Sequence, residues 1–207
     1  HLESKDIPSN YRVHEEPDTM KLEDIMKVIR PFVRLKKKSL TPSDFSRILI
    51  DIKGTPGEDI INYMVLRSLK QARYSPVNAG HFGLASKSYT HFTSPIRRYP
   101  DLVVHRILRE AMAKKHLPDK RIKELESILP DLSFHSSRME RLADEAERKV
   151  IAAMRAWFMK EKVGEEFEGT IVGVTPYGLK VRLKDFYVDG FIHVSYMNDD
   201  FYQYDEK

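Results

Sequence analysis

Apolar residues recur at helical spacing through the first three quarters of the chain. This pattern predicts helices over residues 21–35, 42–51, 58–72, 101–115, 120–129 and 131–162. Pro31 predicts a break or kink in the first helix, and Thr41 followed by Pro42 is typical of a helix start. Residues 1–19 and the stretch that ends at Pro95 are predicted to be irregular, since prolines interrupt or close both.

The periodicity changes after Gly164, where apolar and polar residues alternate as they do in β-strands. Three short strands are predicted within residues 167–175, 178–183 and 186–194, separated by turns. We therefore expect an α+β protein with two domains. The first, over residues 1–163, is mainly helical, and the second is a small β domain over residues 164–207.

The composition is that of a folded protein and excludes several kinds of site. Hydrophobic residues make up 41% of the 207 positions, while the mean hydropathy of −0.49 indicates a well-solvated surface. No apolar run approaches the roughly 20 residues of a membrane-spanning helix, and we expect no secretory signal and no membrane partner. The absence of cysteine excludes disulfides and thiolate metal sites. A cytoplasmic location is the expectation that fits these features.

Charge is unevenly distributed along the chain. The net charge is +4, but residues 164–207 hold nine acidic and four basic side chains, so the remaining residues carry a charge of +9. A basic body suits a polyanionic partner. Solvated surfaces are often somewhat basic as well, so charge alone leaves nucleic-acid binding and an ordinary surface open as alternatives.

The stretch from His81 to Arg106 has a composition that an ordinary helix or strand does not need. Its 26 residues contain three arginines, three histidines, two tyrosines, two phenylalanines and an aspartate. Guanidinium groups match phosphate oxygens, and aromatic rings stack on bases. This mixture predicts a pocket for a charged polymer that carries rings.

The same stretch resembles a known family signature. Residues 89–106 read Y-x-H-F-T-S-P-I-R-R-Y-P-D-L-x-x-H-R, which is similar to the signature near the C-terminal end of the RNB catalytic domain. That domain belongs to the ribonuclease II and ribonuclease R family of processive 3′-to-5′ exoribonucleases, which hydrolyse single-stranded RNA to nucleoside 5′-monophosphates. The resemblance implies that residues 1–163 are the mainly helical C-terminal half of such a domain.

Residues 164–207 resemble the first part of an S1-type RNA-binding domain, a five-stranded OB-fold barrel. The similarity lies in E-G-x-I-x-x-V-T-x-Y-G-x-x-V-x-L, followed by V-D-G-F-I-H-V-S. It covers three predicted strands, so we expect an incomplete barrel whose open edges need further residues.

Arg97 is the candidate catalytic residue. It stands at the arginine of the S-P-I-R motif, and the resemblance implies that it contacts the phosphate next to the scissile bond. A fixed guanidinium can stabilise charge that develops on phosphoryl oxygens. The structural alternative is an ion pair with Asp101 or Glu110.

Five further residues in the signature are candidate RNA-binding residues: Tyr89, Phe92, Arg98, Tyr99 and Arg106. The two arginines suit phosphate contacts or structural ion pairs, and the three rings suit base stacking or ordinary packing. Asp101 is predicted to cap the following helix by accepting backbone N–H bonds, with metal binding as the alternative. Ser94 lacks evident Ser–His–Asp partners and is not predicted to be a nucleophile.

Two other groups of residues have structural interpretations. In the long predicted helix, two pairs are spaced as i,i+4 ion pairs: Asp144/Arg148 and Glu145/Lys149. Three histidines lack the spacing of a metal site and are predicted to be hydrogen-bond donors or core-edge residues: His81, His91 and His105.

In the β domain, Tyr177 and His193 match positions at which S1-type domains contact RNA. Lys180 occupies a position at which many such domains have a second aromatic residue. We expect that this departure weakens stacking and substitutes a phosphate contact.

The resemblance implies a divalent metal, Mg²⁺, in the full-length family protein, where it activates water. The family's aspartate cluster, D-x-x-D-x-D-D, does not occur in this sequence. We therefore expect this chain alone to hold no metal and to be inactive, and we expect it to be a piece of a longer protein.

Two functions of different classes remain open at this point. The first is the C-terminal part of an RNB-type exoribonuclease catalytic domain joined to a truncated S1-type domain, with single-stranded RNA as its partner. The second is a non-catalytic RNA-binding module that retains the RNB and S1 scaffold. The sequence does not specify an oligomeric state.

Overall fold

The computed structural model describes residues 1–18, 20, 23, 26, 27, 29, 40–55, 57–114, 116–186 and 188–205. The predicted helix over residues 21–35, with its break at Pro31, lies almost entirely outside the described residues. The chain divides into two compact units, residues 1–143 and residues 144–207. The first is mainly helical, and the second ends in an antiparallel sheet, so the predicted α+β class is confirmed.

The first unit contains a pair of short strands. Strand β1 (Tyr11–Val13) pairs antiparallel with β2 (Arg73–Ser75), with Tyr11 opposite Ser75. The sequence pattern predicted no strand at either place. Three residues are too few to show an alternating pattern, and the two strands are brought together only by the fold.

Helices α1 (Pro42–Asp51) and α2 (Glu58–Ser68) pack together in one of the two cores of this unit. The predicted start of α1 is confirmed: the Thr41 hydroxyl accepts a hydrogen bond from the Asp44 N–H, and the Asp44 carboxylate accepts one from the Thr41 N–H. Helix α2 ends at Ser68, short of the predicted residue 72. Buried apolar residues of both helices share this core: Phe45, Ile48, Ile61 and Val65.

Helix α3 (Tyr99–Ala113) follows the signature loop and has Pro100 in its first turn, where a missing N–H costs no helical bond. Its inward face supplies Val103, Ile107 and Ala111 to the second core. That core also contains Ile7, Leu117 and two leucines of the next helix, Leu125 and Leu129.

Helix α4 runs without interruption from Asp119 to Lys160, with Pro130 inside it. The prediction of two separate helices, at 120–129 and 131–162, is therefore wrong. Pro130 and Glu126, whose carbonyl loses its helical partner to the proline, are both exposed, so water can solvate that carbonyl. Residues on the opposite side are buried both before and after Pro130: Leu125 and Leu129 before it, Ser133 and Ser137 after it, so the two halves of the helix present one continuous buried side.

A buried polar network attaches α4 to the strand pair. The Ser137 hydroxyl accepts a hydrogen bond from the backbone N–H of Tyr74 at 2.9 Å, and the Ser133 hydroxyl lies 3.1 Å from the Asn10 side-chain oxygen. Thr90 donates to the Asn10 carbonyl at 2.6 Å. Two small serines one helical turn apart thus let the strands approach the helix closely while their backbone groups stay paired.

The second unit carries a three-stranded antiparallel sheet of order β3-β4-β5. Its strands are β3 (Gly169–Thr175), β4 (Gly178–Leu183) and β5 (Asp189–His193), as the alternating pattern predicted. The predicted domain boundary between residues 163 and 164 stays a prediction, since α4 runs through both compact units.

Three short 3₁₀ helices complete the described elements: Glu3–Lys5, Phe82–Leu84 and Val194–Tyr196. No helix in the described part of the chain combines the length and the hydrophobicity needed to cross a lipid bilayer.

Candidate functional site

The signature residues fold into a tight turn immediately before α3. The backbone N–H of Arg98 donates to the carbonyl of Ser94 at 3.1 Å, which closes a turn over Pro95, Ile96 and Arg97. Helix α3 begins at the next residue. The turn therefore presents Arg97 from a short, internally bonded piece of backbone rather than from a long loop.

Asp101 holds this turn from inside the protein. Its side chain is fully buried, and its Oδ2 accepts hydrogen bonds from the Ser94 N–H at 2.7 Å and from Arg98 Nη2 at 2.9 Å. The prediction that Asp101 caps the helix is wrong: the helix start has no side-chain cap, because Asp101 already lies inside the first turn. Its carboxylate reaches back to the loop instead.

The two neighbouring arginines have different environments. Arg98 is mostly buried, with a side chain 20% exposed, and pairs with Asp101. Arg97 is exposed and has no hydrogen-bond or ion-pair partner among the described residues. Both alternative partners considered for Arg97 are engaged elsewhere, Asp101 by Arg98 and Glu110 by Arg121, whose Nε and Nη2 lie 2.9 Å from the carboxylate oxygens. The guanidinium of Arg97 is therefore open to a ligand.

Tyr89 belongs to a row of rings behind the turn. Successive rings meet edge-on, with centroids 5.1 Å apart for His14 and His81, 5.2 Å for His81 and Tyr89, and 5.9 Å for Tyr89 and His91. The row ends at Tyr74, whose hydroxyl shares a 2.9 Å hydrogen bond with Nδ1 of His91. These contacts show Tyr89 packed between two histidines and only partly exposed.

Burial lowers the pKa of both His81 and His91 below the ordinary histidine value. Nearby guanidinium groups lower the pKa further, those of Arg98 and Arg12 for His91 and that of Arg12 for His81. Both rings are therefore neutral at pH 7 and act as hydrogen-bonding and packing groups, as predicted from their spacing.

Phe92 stacks face to face on His105, with ring centroids 3.9 Å apart and planes 2° apart. Nε2 of His105 also lies 2.6 Å from the Phe92 carbonyl oxygen. The pair ties the signature loop to α3. Since Phe92 is 40% exposed, the ring retains an open surface beside this stack.

The outward side of α3 carries further exposed candidates. Tyr99 and Arg106 are exposed there, and Arg106 has no ion-pair partner in the described ranges. Arg109, one turn further on, is exposed and unpaired within the same ranges. The sequence analysis did not select Arg109, although its i,i+3 spacing from Arg106 was a signal for a shared face.

On α4, Glu140 forms an ion pair with Arg12, whose Nη1 lies 2.5 Å from Glu140 Oε2. The Arg12 guanidinium also lies over the Tyr74 ring, 4.7 Å from its centroid. Further along α4, the predicted pair of Glu145 with Lys149 is confirmed at 2.8 Å.

The predicted pair of Asp144 with Arg148 is replaced by a different contact. Arg148 Nε donates to the Asp144 backbone carbonyl at 3.2 Å rather than to its carboxylate.

Two of the three candidates of the second unit, Lys180 and His193, lie on one side of the sheet. Lys180 of β4 stands directly opposite Phe191 of β5, and Gly178 stands opposite His193. Tyr177 lies in the turn before β4. We call Lys180, Phe191 and His193 the ring-and-lysine face. Phe191 was not selected from the sequence, because its position relative to Lys180 depends on the strand register.

In the described part of the chain, no group of three or more histidine, aspartate or glutamate side chains is placed to hold a metal ion. The donor set therefore does not fit Mg²⁺, which needs several oxygen ligands around one point.

Comparison with known proteins identifies the family of this chain. Residues 1–114 match the RNB domain model, and residues 160–207 match the S1 RNA binding domain model. The class is therefore that of proteins in which an RNB domain is followed by an S1 RNA binding domain. Since the RNB match covers more than half of the chain, the chain belongs to the RNB family of ribonuclease II and ribonuclease R.

Individual relatives agree with this assignment. Ribonuclease R of Aquifex aeolicus is 41% identical over 209 residues, which cover 100% of this chain and 29% of the relative. The apo form of Mycoplasma genitalium RNase R superposes with a TM-score of 0.91 at 28% identity, over 99% of this chain and 33% of that one. The same protein in complex with ribose methylated single-stranded RNA gives a TM-score of 0.89 at 28% identity, over the same shares.

A yeast pseudonuclease shares the fold, with a TM-score of 0.71 at 21% identity over 93% of this chain and 24% of that one. The chain thus spans about a third or less of the length of each of these proteins.

Proposed function

We propose that the chain is part of a processive 3′-to-5′ exoribonuclease that hydrolyses single-stranded RNA to nucleoside 5′-monophosphates, and that it supplies a phosphate-contacting arginine and part of the RNA channel. The observation that carries this proposal is the exposure of the Arg97 guanidinium on an internally bonded turn. Its guanidinium is exposed and has no partner among the described residues, yet its turn is held by buried Asp101. Family membership and the RNA complexes of Mycoplasma genitalium RNase R support RNA as the ligand.

In this proposal Arg97 contacts the phosphate next to the scissile bond. A guanidinium presents two parallel N–H groups to phosphoryl oxygens and stabilises the negative charge that grows on them during hydrolysis. Because the turn is closed by Ser94 and Arg98, the backbone that carries Arg97 is preorganised before RNA arrives. This limits the reorganisation needed to reach the charged transition state.

We assign the surrounding residues different roles. Phe92, Tyr99 and Arg106 line the RNA path near Arg97, through rings and a free guanidinium. Arg98 and Tyr89 act by positioning, since Arg98 is bound to Asp101 and Tyr89 is packed in the ring row. In the second unit the proposed RNA contacts are Tyr177, Lys180 and His193.

A divalent metal, proposed to be Mg²⁺, supplies water activation in the full-length family protein. The described residues offer no site for it, so no step is assigned to a metal held here. We propose that its ligands come from residues outside this chain and that the isolated chain does not degrade RNA.

The test uses a chimaera in which this chain replaces the equivalent residues of the Aquifex aeolicus ribonuclease R. We expect Arg97→Ala to lower the single-turnover rate on single-stranded RNA by about 100-fold or more, as removal of one transition-state donor does. Affinity for RNA should change by only a few-fold. Arg47→Ala, at an exposed arginine on α1, is the matched control and should change neither quantity.

Other outcomes would contradict the proposal in distinct ways. Equal losses in rate and affinity would make Arg97 a binding contact only. A chimaera that binds RNA but does not degrade it would favour the alternative, a non-catalytic RNA-binding module. The yeast pseudonuclease with this fold is the observation that keeps that alternative open.

A further inference from the structure

The signature loop is held on two sides just before the turn that carries Arg97. His91 contacts the strand pair, where its Nδ1 lies 2.9 Å from the Tyr74 hydroxyl. The next residue, Phe92, contacts α3, where its ring stacks on His105 and its carbonyl oxygen lies 2.6 Å from Nε2 of that histidine. Two consecutive residues therefore fix the path of the backbone that leads into the turn.

Tyr74 is itself held against one face of α4. Its side chain is buried, and its backbone N–H donates to the Ser137 hydroxyl at 2.9 Å. The Arg12 guanidinium lies over the Tyr74 ring, 4.7 Å from its centroid, and Glu140 pairs with Arg12. Ser137 and Glu140 are three residues apart on α4 and so lie on the same face. This face sets the position of the hydroxyl that meets His91.

The Tyr74 hydroxyl is the donor in its hydrogen bond with His91. It has no other hydrogen-bond partner among the described residues. If it accepted a proton from Nδ1, its own buried O–H would be left without an acceptor. The lowered pKa of His91 keeps the ring neutral at pH 7, so Nδ1 can accept while Nε2 carries the proton. His91 is only partly buried, and water can solvate its Nε2–H.

Asp101 holds the far side of the turn through Arg98, the residue that follows Arg97. The charges of Arg98 and Asp101 both act on Tyr74 and on His91, which places this ion pair close to the hydrogen-bonded pair. The backbone that carries Arg97 is therefore held on one side through His91 and on the other through Asp101.

We propose that Tyr74 and His91 are positioning residues for Arg97. The hydrogen bond from Tyr74 to His91 fixes the loop before the turn, and with it the direction from which the Arg97 guanidinium meets the phosphate. This inference rests on the proposed role of Arg97 in RNA hydrolysis. It extends that role to a buried hydroxyl on β2.

The experiment uses the Aquifex aeolicus chimaera and measures the single-turnover rate at saturating single-stranded RNA together with the affinity for RNA. Tyr74→Phe removes the hydroxyl and keeps the ring beneath Arg12. Displacement of a catalytic group by about 1 Å can lower a rate by about 100-fold, so we expect the rate to fall by about ten-fold or more. The affinity should be nearly unchanged. Tyr63→Phe, at a partly buried tyrosine of α2, is the matched control and should change neither quantity.

A combined variant shows whether the hydroxyl acts through Arg97. In the Arg97→Ala background, Tyr74→Phe should lower the rate by less than about two-fold, because no guanidinium is left to position. Equal losses in both backgrounds would overturn the inference, since the hydroxyl would then act independently of Arg97. If Arg97→Ala lowers the rate and Tyr74→Phe does not, the inference alone fails. If Arg97→Ala leaves the rate unchanged, the proposed function fails with it.

Variants of His91 give a second test that does not depend on the folding of Tyr74→Phe. His91→Asn keeps an acceptor near the place of Nδ1, whereas His91→Leu removes it. We expect His91→Asn to retain most of the rate and His91→Leu to lose as much as Tyr74→Phe does. Equal losses in the two His91 variants would overturn the acceptor role of this ring.

The tautomer of His91 is a readout that does not depend on activity. In the full chain, side-chain nitrogen chemical shifts measured by NMR should show His91 protonated at Nε2. Tyr74→Phe should give a mixture of the two tautomers, because the hydroxyl no longer selects one. A His91 ring protonated at Nδ1 in the unmodified chain would overturn the assigned direction of the hydrogen bond.

Discussion

The buried carboxylate of Asp101 accepts a 2.7 Å hydrogen bond from the backbone N–H of Ser94. A bond from a backbone N–H to an ionised carboxylate is stronger than one between neutral groups. It joins the first turn of α3 to the loop before it and closes the backbone on both sides of Arg97. The position of the candidate catalytic arginine is therefore set by a carboxylate that never touches the solvent.

Replacing this carboxylate should destabilise the first unit. Asp101→Asn keeps the shape of the side chain but removes the charge that pairs with Arg98, which leaves a mostly buried cation unpaired. We expect the free energy of unfolding to fall by about 3 kcal/mol or more, measured by urea denaturation with circular dichroism. Asp131→Asn, at an exposed aspartate on α4, should change it by less than about 0.5 kcal/mol. Similar effects of the two variants would show that the Asp101 pair is not structural.

The neighbouring arginines Arg97 and Arg98 should separate stability from function. Arg98→Ala removes the partner of a fully buried carboxylate, so we expect a loss of about 3 kcal/mol of stability. Arg97→Ala removes an exposed side chain that has no partner in the described residues, so we expect a change within about 0.5 kcal/mol. Urea denaturation of both variants checks this. A large destabilisation by Arg97→Ala would mean that Arg97 holds the fold rather than a ligand.

Ser137→Ala should weaken the attachment of α4 to the strand pair. The substitution leaves the buried backbone N–H of Tyr74 without its acceptor, at a cost of about 1–3 kcal/mol. Ser136→Ala, the adjacent and less buried serine, is the matched control. Thermal and urea unfolding of the two variants should differ by that amount, and equal stabilities would contradict the proposed role of the network.

Stability should fall as the pH is lowered below about 6.5, the ordinary histidine pKa. The pKa values of His81 and His91 are lowered in the folded protein, chiefly by burial. The unfolded chain therefore takes up protons first, and the stability present at neutral pH is lost as the pH falls from that value towards the folded-state pKa. Urea denaturation between about pH 7.5 and about pH 5.5 measures the change.

Variants assign this pH dependence to the ring row. His91→Gln removes one of the two titrating rings, so its stability should decline less steeply over the same pH interval. His135→Gln removes an exposed ring on α4 and should leave the slope unchanged. If both variants showed the slope of the unmodified chain, the titration responsible would lie elsewhere.

The helices of the first unit and the strands of the second followed from local patterns. The apolar spacing that predicted α1, α2 and α3 is the spacing of the residues in their cores, such as Ile48, Val65 and Ile107. Local patterns failed at Pro130, because the helix is buried along one side both before the proline, at Leu129, and after it, at Ser133, and burial depends on the rest of the fold. They also failed for β1 and β2, whose pairing joins distant parts of the chain.

The candidate site also has features that the sequence predicted and features that depended on the fold. The signature alone identified the stretch around Arg97. The unusual mixture of arginines and aromatic rings in that stretch could also be read directly from the sequence. Which of the two arginines is open to a ligand depended on the position of Asp101 in the fold. The prediction that Asp101 caps the helix was wrong because the partners of its carboxylate depend on the path of the preceding loop.

The sequence by itself determined the family, the α+β class and the presence of arginines and aromatic rings suited to phosphates and bases. These depend on composition and on spacing between near neighbours. Only the tertiary structure decided that Arg98 is held by Asp101 while Arg97 is open, and that Phe191 faces Lys180 across two strands. The first outcome depends on the burial of Asp101 and on the loop path that brings Ser94 to its carboxylate, although Arg98 and Asp101 are near neighbours in sequence. The second depends on the register of two strands, which exists only once the chain has folded.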